Sequence, residues 1–254
     1  MDCKTYVAGM PTLSVDDEWA HGNYVASLED GKVVIYEKEN GLKRTVAEIS
    51  VGDEFKRVAF DGKTVYLCGD YCEALSLDGR VIWTSPVSFD DGEATPLGLE
   101  GGLLFVLNDD GVYALSSSNG SVVYKIDAKP DGAAYCGKKV ALWKDDWVAV
   151  YDGKELLWNA TADWAPLKVV FSDDCKYLFV GSGVTLYALD AATGKVVDHY
   201  TTSNLVVPLV ACRASDVYGI LGIEIPPSSL KLATSDSLLD GISMLVVVYA
   251  FQPS

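Results

Sequence analysis

Hydrophobic and polar residues alternate along most of this chain in short runs that turn residues separate. Residues 186–200, LYALDAATGKVVDHY, show the unit: an apolar run, a polar turn ending in glycine, and a second apolar run. Alternation with a period of two predicts strands, and a glycine-containing turn between two such runs predicts a hairpin. Only residues 228–239 show a helical period, and a weak one, so the pattern predicts an all-β protein.

The same hairpin recurs along the chain. Copies occur at 33–46 (VVIYEKENGLKRTV), 73–84 (EALSLDGRVIWT), 112–125 (VYALSSSNGSVVYK) and 148–159 (VAVYDGKELLWN). The turn glycines are Gly41, Gly79, Gly120, Gly153 and Gly194, which are spaced by 38, 41, 33 and 41 residues. A period near 40 residues with four strands in each repeat is typical of a β-propeller.

A second hairpin precedes each copy, so each repeat holds four strands, which we letter a to d. Six such first hairpins begin at Trp19, Arg57, Leu97, Ala133, Val169 and Leu209. We therefore predict one domain over residues 1–254, a six-bladed β-propeller of four-stranded antiparallel blades. The predicted blades are residues 18–50, 55–88, 96–127, 132–161, 167–202 and 207–254. An open solenoid of six sheets and a seven-bladed ring are the alternatives.

The last repeat lacks its outer strand. Residues 243–251 (SMLVVVYAF) match strand c, and the sequence ends at Ser254. Residues 3–10 contain an apolar run, KTYVAGM, that belongs to no repeat of its own. We predict that this N-terminal strand pairs beside 243–251, completes the last blade and so removes two open sheet edges.

The run from Tyr187 to Val197, YALDAATGKVV, resembles the quinoprotein-like (PQQ-like) propeller repeat, whose core reads approximately A-x-D-x-x-T-G-x. Residues 112–124 are a weaker copy. The resemblance implies a ring of four-stranded sheets, an architecture also found in WD40-like propellers. It transfers no catalytic residue, because the enzymes with this repeat are larger and exported, and many carry two adjacent cysteines. This chain has no adjacent cysteine pair.

The net charge of the chain limits the classes of partner that it is expected to bind. The chain carries 36 acidic and 20 basic residues, a net charge of −16, so a phosphate backbone would be repelled and nucleic-acid binding is not expected. No apolar run is long enough to span a bilayer, and no secretory signal is visible. We therefore predict a cytoplasmic protein without membrane insertion, a monomer or a subunit of a complex.

Six cysteines are spread along the chain, and only Cys68 and Cys72 are close in sequence. With two histidines in the whole chain, a zinc site is not expected. We expect free buried cysteines. A disulfide across the Cys68/Cys72 hairpin or between neighbouring blades is the alternative.

The acidic residues concentrate in the b–c turns and the d–a connections, which a propeller places on one face. We call these two kinds of loop the acidic face. Apolar side chains accompany the carboxylates there, and they occur again in a long insertion at 226–241. The predicted contact residues for a partner are Phe89, Asp90, Asp91, Asp145, Asp146, Trp147, Trp164, Leu230, Leu232 and Leu238.

These features favour a non-enzymatic protein-interaction scaffold whose acidic face docks a partner protein with a basic segment. We predict no catalytic residue, no metal site and no cofactor. One alternative is a small-ligand-binding protein or quinoprotein-like enzyme with its site at the channel mouth. Another is a structural subunit of a larger assembly.

Overall fold

The computed structural model describes residues 18–39, 42–89, 94–161, 165–214, 217–225 and 245–252. Within these ranges the chain forms 23 β-strands and no helix. The strands pair into antiparallel sheets, five with four strands and one with three. The all-β prediction is thus confirmed for the described residues.

Contacts divide the chain into two compact units, Met1–Lys129 and Pro130–Ser254. In the first unit, sheet 1 has strands β1 (Glu18–His21), β2 (Tyr24–Glu29), β3 (Lys32–Glu39) and β4 (Leu42–Ser50). Sheet 2 has β5 (Phe55–Phe60), β6 (Thr64–Gly69), β7 (Cys72–Ser76) and β8 (Val81–Thr84). Sheet 3 has β9 (Thr95–Glu100), β10 (Leu103–Asn108), β11 (Gly111–Ser116) and β12 (Val122–Asp127).

In the second unit, sheet 4 has β13 (Gly132–Cys136), β14 (Lys139–Lys144), β15 (Trp147–Asp152) and β16 (Glu155–Thr161). Sheet 5 has β17 (Pro166–Phe171), β18 (Tyr177–Ser182), β19 (Thr185–Asp190) and β20 (Val196–Thr201). Sheet 6 has β21 (Leu205–Ala214), β22 (Val217–Ile225) and β23 (Leu245–Phe251). Each sheet follows the chain order, as the hairpin pattern predicts.

Apolar side chains fill the spaces between consecutive sheets in each unit. Ile35 of sheet 1 packs in one buried cluster with Phe60 and Leu67 of sheet 2. In the second unit, Val150 of sheet 4 shares a cluster with Val180 of sheet 5. Strands that are apolar on both faces are typical of sheets covered on both sides. This packing holds the loops at the sheet ends in place.

The outer strand d of every four-stranded sheet contains a β-bulge. The bulged residues are aliphatic and about half exposed: Val46, Ile82, Val123, Leu157 and Val197. A bulge twists an outer edge and makes it a poor template for a further strand. β23 differs, because its ladder with β22 runs from Leu245 to Phe251 without a shift in register.

The cysteine expectation was wrong for four of the six residues. Cys68 is bonded to Cys72 within sheet 2, and Cys136 is bonded to Cys175 between sheets 4 and 5. Both alternatives, a hairpin disulfide and an inter-sheet disulfide, are therefore realised. The strand positions explain this result: Cys68 lies directly opposite Cys72 in the β6–β7 ladder. Cys3 lies outside the described residues.

Candidate functional site

The two kinds of loop that form the acidic face are joined by backbone hydrogen bonds. In sheet 1, the Val51 N–H donates to the Gly31 carbonyl oxygen at 2.9 Å. In sheet 3, the Ala128 N–H donates to the Asp110 carbonyl oxygen at 3.2 Å. In these two sheets the d–a connection therefore lies beside the b–c turn, which brings their carboxylates to the same end.

A cleft of about 290 Å³ opens at this end between sheets 1 and 2. Its lining contains acidic, basic, apolar and glycine residues. They are Leu28, Asp30, Gly31, Gly52, Asp53, Phe55, Lys56 and Arg57. The Lys56 ammonium donates to the Asp53 carbonyl oxygen at 2.7 Å, so one cation is tied to the cleft wall. Groups of both charges therefore face one small open volume.

Asp30 and Asp53 lie in loops of the acidic face, but the sequence pattern did not indicate Lys56 and Arg57 as site residues. These two residues are the second and third of β5, the first strand of sheet 2, at a β-bulge between Phe55 and Arg57. Lys168 occupies the corresponding place after a bulge in sheet 5. Basic residues at the start of strand a were the signal that could have identified them.

Lys168 of sheet 5 lies against an aromatic ring of sheet 4. Burial lowers the pKa of Lys168, and its ammonium lies 5.9 Å from the centre of the Trp143 ring. A cation over an indole face gains electrostatic attraction that offsets part of the desolvation cost.

The b–c turn of sheet 4 presents the predicted residues Asp145, Asp146 and Trp147 together. Both carboxylates are exposed, and the Trp147 side chain is half-buried. The Asp145 N–H donates to a carboxylate oxygen of Asp131 at 3.2 Å, which ties the turn to the preceding connection. This turn is therefore a compact acidic corner with an indole at its edge.

The corresponding turn of sheet 3 has its charge compensated. The Lys125 ammonium lies 2.8 Å from carboxylate oxygens of both Asp110 and Asp127. Burial raises the pKa of Asp110, but hydrogen bonds from Lys125 and Tyr113 outweigh it and leave that pKa below its ordinary value. Not every carboxylate of the acidic face is thus equally available to a partner.

Phe89 is not an exposed anchor, and this part of the prediction is corrected. Its side chain is 3% exposed and meets the Tyr113 ring edge-on, with 5.1 Å between ring centres. It belongs to the core cluster between sheets 2 and 3. Burial in this apolar gap removes the Phe89 ring from water, which stabilises the fold. The acidic residues that follow Phe89 in the sequence gave no indication that its ring is buried.

The other predicted contact residues lie outside the described residues. They are Asp90, Asp91, Trp164, Leu230, Leu232 and Leu238. Among the described side chains, no group of three or more histidine, cysteine, aspartate or glutamate residues is arranged to hold a metal ion.

The sequence model of the PQQ-like repeat family described as outer membrane protein assembly factor BamB matches residues 29–204, more than half of the chain. The chain belongs to this family. The match runs from the end of β2 in sheet 1 to the end of sheet 5, so the resemblance seen in residues 187–197 extends through the other repeats. No curated protein matches the chain.

Solved structures resemble this chain at the level of the fold. Hsv2 from Kluyveromyces marxianus superposes with a TM-score of 0.59 at 13% identity, covering 91% of this chain and 83% of that one. The C-terminal WD40 domain of Sif2 gives 0.61 at 12% identity, covering 78% and 63%. Hsv2 from Kluyveromyces lactis gives 0.59 at 8% identity, covering 79% and 67%. At such identities the likeness establishes the propeller fold alone.

The described residues contain no helix that could span a membrane.

Proposed function

We propose that the chain is a non-enzymatic protein-interaction scaffold whose acidic face docks a basic segment of a partner protein. The acidic corner of sheet 4 carries this proposal, because two exposed carboxylates there stand beside a half-buried tryptophan. Carboxylates steer a basic partner, and an indole supplies contact area at low entropic cost. The matching family is described as an outer membrane protein assembly factor, which supports a protein-binding role for this chain.

The docking test compares two double variants of sheet 4. Asp145→Asn with Asp146→Asn removes two charges from the acidic face, and asparagine tolerates the positive φ of 47° at position 145. Asp152→Asn with Glu155→Gln removes two charges from the opposite end of the same sheet. Tagged proteins would capture partners from extracts of the source organism, and mass spectrometry would quantify them.

Selective loss of a partner from the first variant, by roughly tenfold or more, supports docking at the acidic corner. Equal losses from both variants would assign the effect to net charge, and full capture by both would reject the proposal. Higher salt should also weaken capture by the native chain, because exposed charges are screened.

A small-ligand-binding function is the second candidate, and the cleft between sheets 1 and 2 favours it. A ligand bound to the folded state raises the melting temperature, and the rise grows with its concentration. A panel containing sugars, quinones and Ca²⁺ would reveal such a ligand, while a flat response would remove this candidate. A structural subunit, the third candidate, would elute from native extracts at the size of a large assembly.

We propose in addition that residues 3–10, which lie outside the described residues, add a fourth strand beside β23 and close a six-bladed ring. The regular edge of β23 supports this, since the bulged outer strands of the other sheets disfavour strand addition. Deleting residues 1–10 should lower the melting temperature and promote self-association. A truncated chain with unchanged stability and a monomeric mass would contradict the proposed closure.

A further inference from the structure

The two disulfides of the described residues have different surroundings. Cys68 and Cys72 are both fully buried, at 0% exposure, in adjacent strands of sheet 2. Cys136 is 9% exposed, and Cys175 is half-buried in the turn between β17 and β18. A reductant in solution therefore reaches the Cys136–Cys175 bond from the side of Cys175, whereas the Cys68–Cys72 bond is buried in the core.

The two bonds also differ in what they connect. Cys68 and Cys72 are already paired in the β6–β7 ladder, so their bond spans a turn that the sheet closes anyway. Cys136 and Cys175 are 39 residues apart and belong to sheets 4 and 5. Of these two bonds, the second is the one that ties one repeat to the next.

The contacts around Cys175 complete this junction. The Lys139 ammonium donates to the Cys175 carbonyl oxygen at 2.9 Å, and the Cys136 sulfur lies 3.5 Å from the Ser172 carbonyl oxygen. The apolar cluster between sheets 4 and 5 contains both cysteines. The disulfide therefore locks two sheets that apolar packing, hydrogen bonds and the contact of Lys168 with the Trp143 ring also hold together.

We propose that Cys136–Cys175 is a reducible clasp between sheets 4 and 5, whereas Cys68–Cys72 is a protected structural bond. A reductant thiolate, such as that of glutathione, attacks the Cys175 sulfur and forms a mixed disulfide, which releases Cys136 as a thiol. A second reductant thiol then displaces Cys175. The protein gains two electrons and two protons, and the reductant leaves as a disulfide; an oxidising disulfide reverses the exchange.

The clasp makes the stability of the second unit depend on the redox state of its surroundings. Closing a loop of this length restricts the unfolded chain, so its loss should lower the melting temperature by roughly 10 °C. Such bonds persist in oxidising compartments and in the cytosol of hyperthermophiles. The cytoplasmic location stays a prediction, and the redox response bears directly on it.

The test begins with the full chain purified without reductant. Free thiols are alkylated, and mass spectrometry of the unreduced digest identifies the linked peptides. The native chain is then equilibrated in glutathione buffers of graded ratio, alkylated and mapped again. The clasp should open in buffers about tenfold less reducing than those that open Cys68–Cys72. The melting temperature should fall in the same buffers in which the Cys136–Cys175 bond opens.

Two serine pairs serve as matched variants. Cys136→Ser with Cys175→Ser should melt lower and lose the first redox-dependent step, while Cys68→Ser with Cys72→Ser should retain it. The proposal is overturned if Cys68–Cys72 opens first or together with the clasp. It is also overturned if Cys136 and Cys175 are alkylated in the unreduced protein, or if opening them leaves the melting temperature unchanged. The buffer series on the native chain separates these outcomes even where a variant does not fold.

Discussion

The indole N–H of Trp158 in sheet 4 donates a 3.0 Å hydrogen bond to the carbonyl oxygen of Ala191 in sheet 5. Trp83 repeats this contact from sheet 2 to sheet 3, with the Ser117 carbonyl oxygen at 2.9 Å. In both cases a tryptophan of strand d reaches the c–d turn of the next sheet. The same kind of indole hydrogen bond thus joins two consecutive sheets in each of the two units.

The turn glycines make room for these indoles. A β-carbon at Gly194 would lie 2.6 Å from the Trp158 ring, and one at Gly120 would lie 2.4 Å from the Trp83 ring. Gly194→Ala and Gly120→Ala should therefore destabilise their units by roughly 2–4 kcal/mol, from backbone strain and overpacking together. Urea denaturation would measure the loss.

Gly153→Ala is the control for this pair. Gly153 also has a positive φ, of 60°, but nothing lies within 4 Å of an added β-carbon. It should show only the backbone part of the loss, about 1–2 kcal/mol. Equal losses at Gly153 and Gly194 would mean that the indole contact is not what restricts position 194.

Trp158→Phe should lower the free energy of unfolding by about 1–3 kcal/mol. The phenyl ring keeps part of the packing but leaves the Ala191 carbonyl oxygen without its donor. Trp147→Phe, in the same sheet, removes an indole at a half-buried turn and should cost less. If the two variants unfold at the same denaturant concentration, the inter-sheet hydrogen bond contributes no measurable stability.

Tyr66 should make stability fall at high pH. Burial, together with the Asp61 carboxylate 3.0 Å from its hydroxyl oxygen, raises the pKa of Tyr66 to about 12. Because the pKa in the unfolded chain is about 10, the contribution is complete below pH 10 and is lost as pH rises towards 12.

Tyr66→Phe should remove this alkaline step, which unfolding measured between about pH 9 and 12 would show. Tyr200→Phe, at an exposed position of β20, is the control and should leave the step in place. Absorbance titration of the phenolate would reveal the same late transition directly. Identical alkaline profiles for the native chain and Tyr66→Phe would refute the assignment.

Asp190 should stabilise the c–d turn of sheet 5 above acidic pH. Its carboxylate accepts hydrogen bonds from the Thr193 hydroxyl at 2.7 Å and the Thr193 N–H at 2.8 Å. These bonds lower the pKa of Asp190, so its contribution is present above the ordinary aspartate range and is lost as pH falls below it.

Asp190→Ala should cost about 1 kcal/mol near neutral pH and less in acid. Thermal melts at several pH values would measure the difference between variant and native chain. Asp198→Asn, at an exposed position of the neighbouring strand, should change little. A cost at Asp190 that stays constant into strong acid would show that the carboxylate charge is not responsible.

The acidic face was predictable only in outline. Asp145, Asp146 and Trp147 meet at one turn because they are neighbours in sequence. The compensation of Asp110 by Lys125 was hidden, since the two residues lie 15 positions apart and meet through the β11–β12 ladder. Lys56 and Arg57 were missed because strand residues were interpreted as packing residues.

Sequence alone determined the strands, the turns and the period, because strand alternation and the positive φ at glycine depend on a few consecutive residues. Gly79, Gly120, Gly153 and Gly194 all adopt the positive φ that their turns predicted. Only the tertiary structure decided that Phe89 is buried and that Cys136 pairs with Cys175. Both outcomes depend on which side chains from other sheets fill the adjacent space, and local sequence does not contain that information.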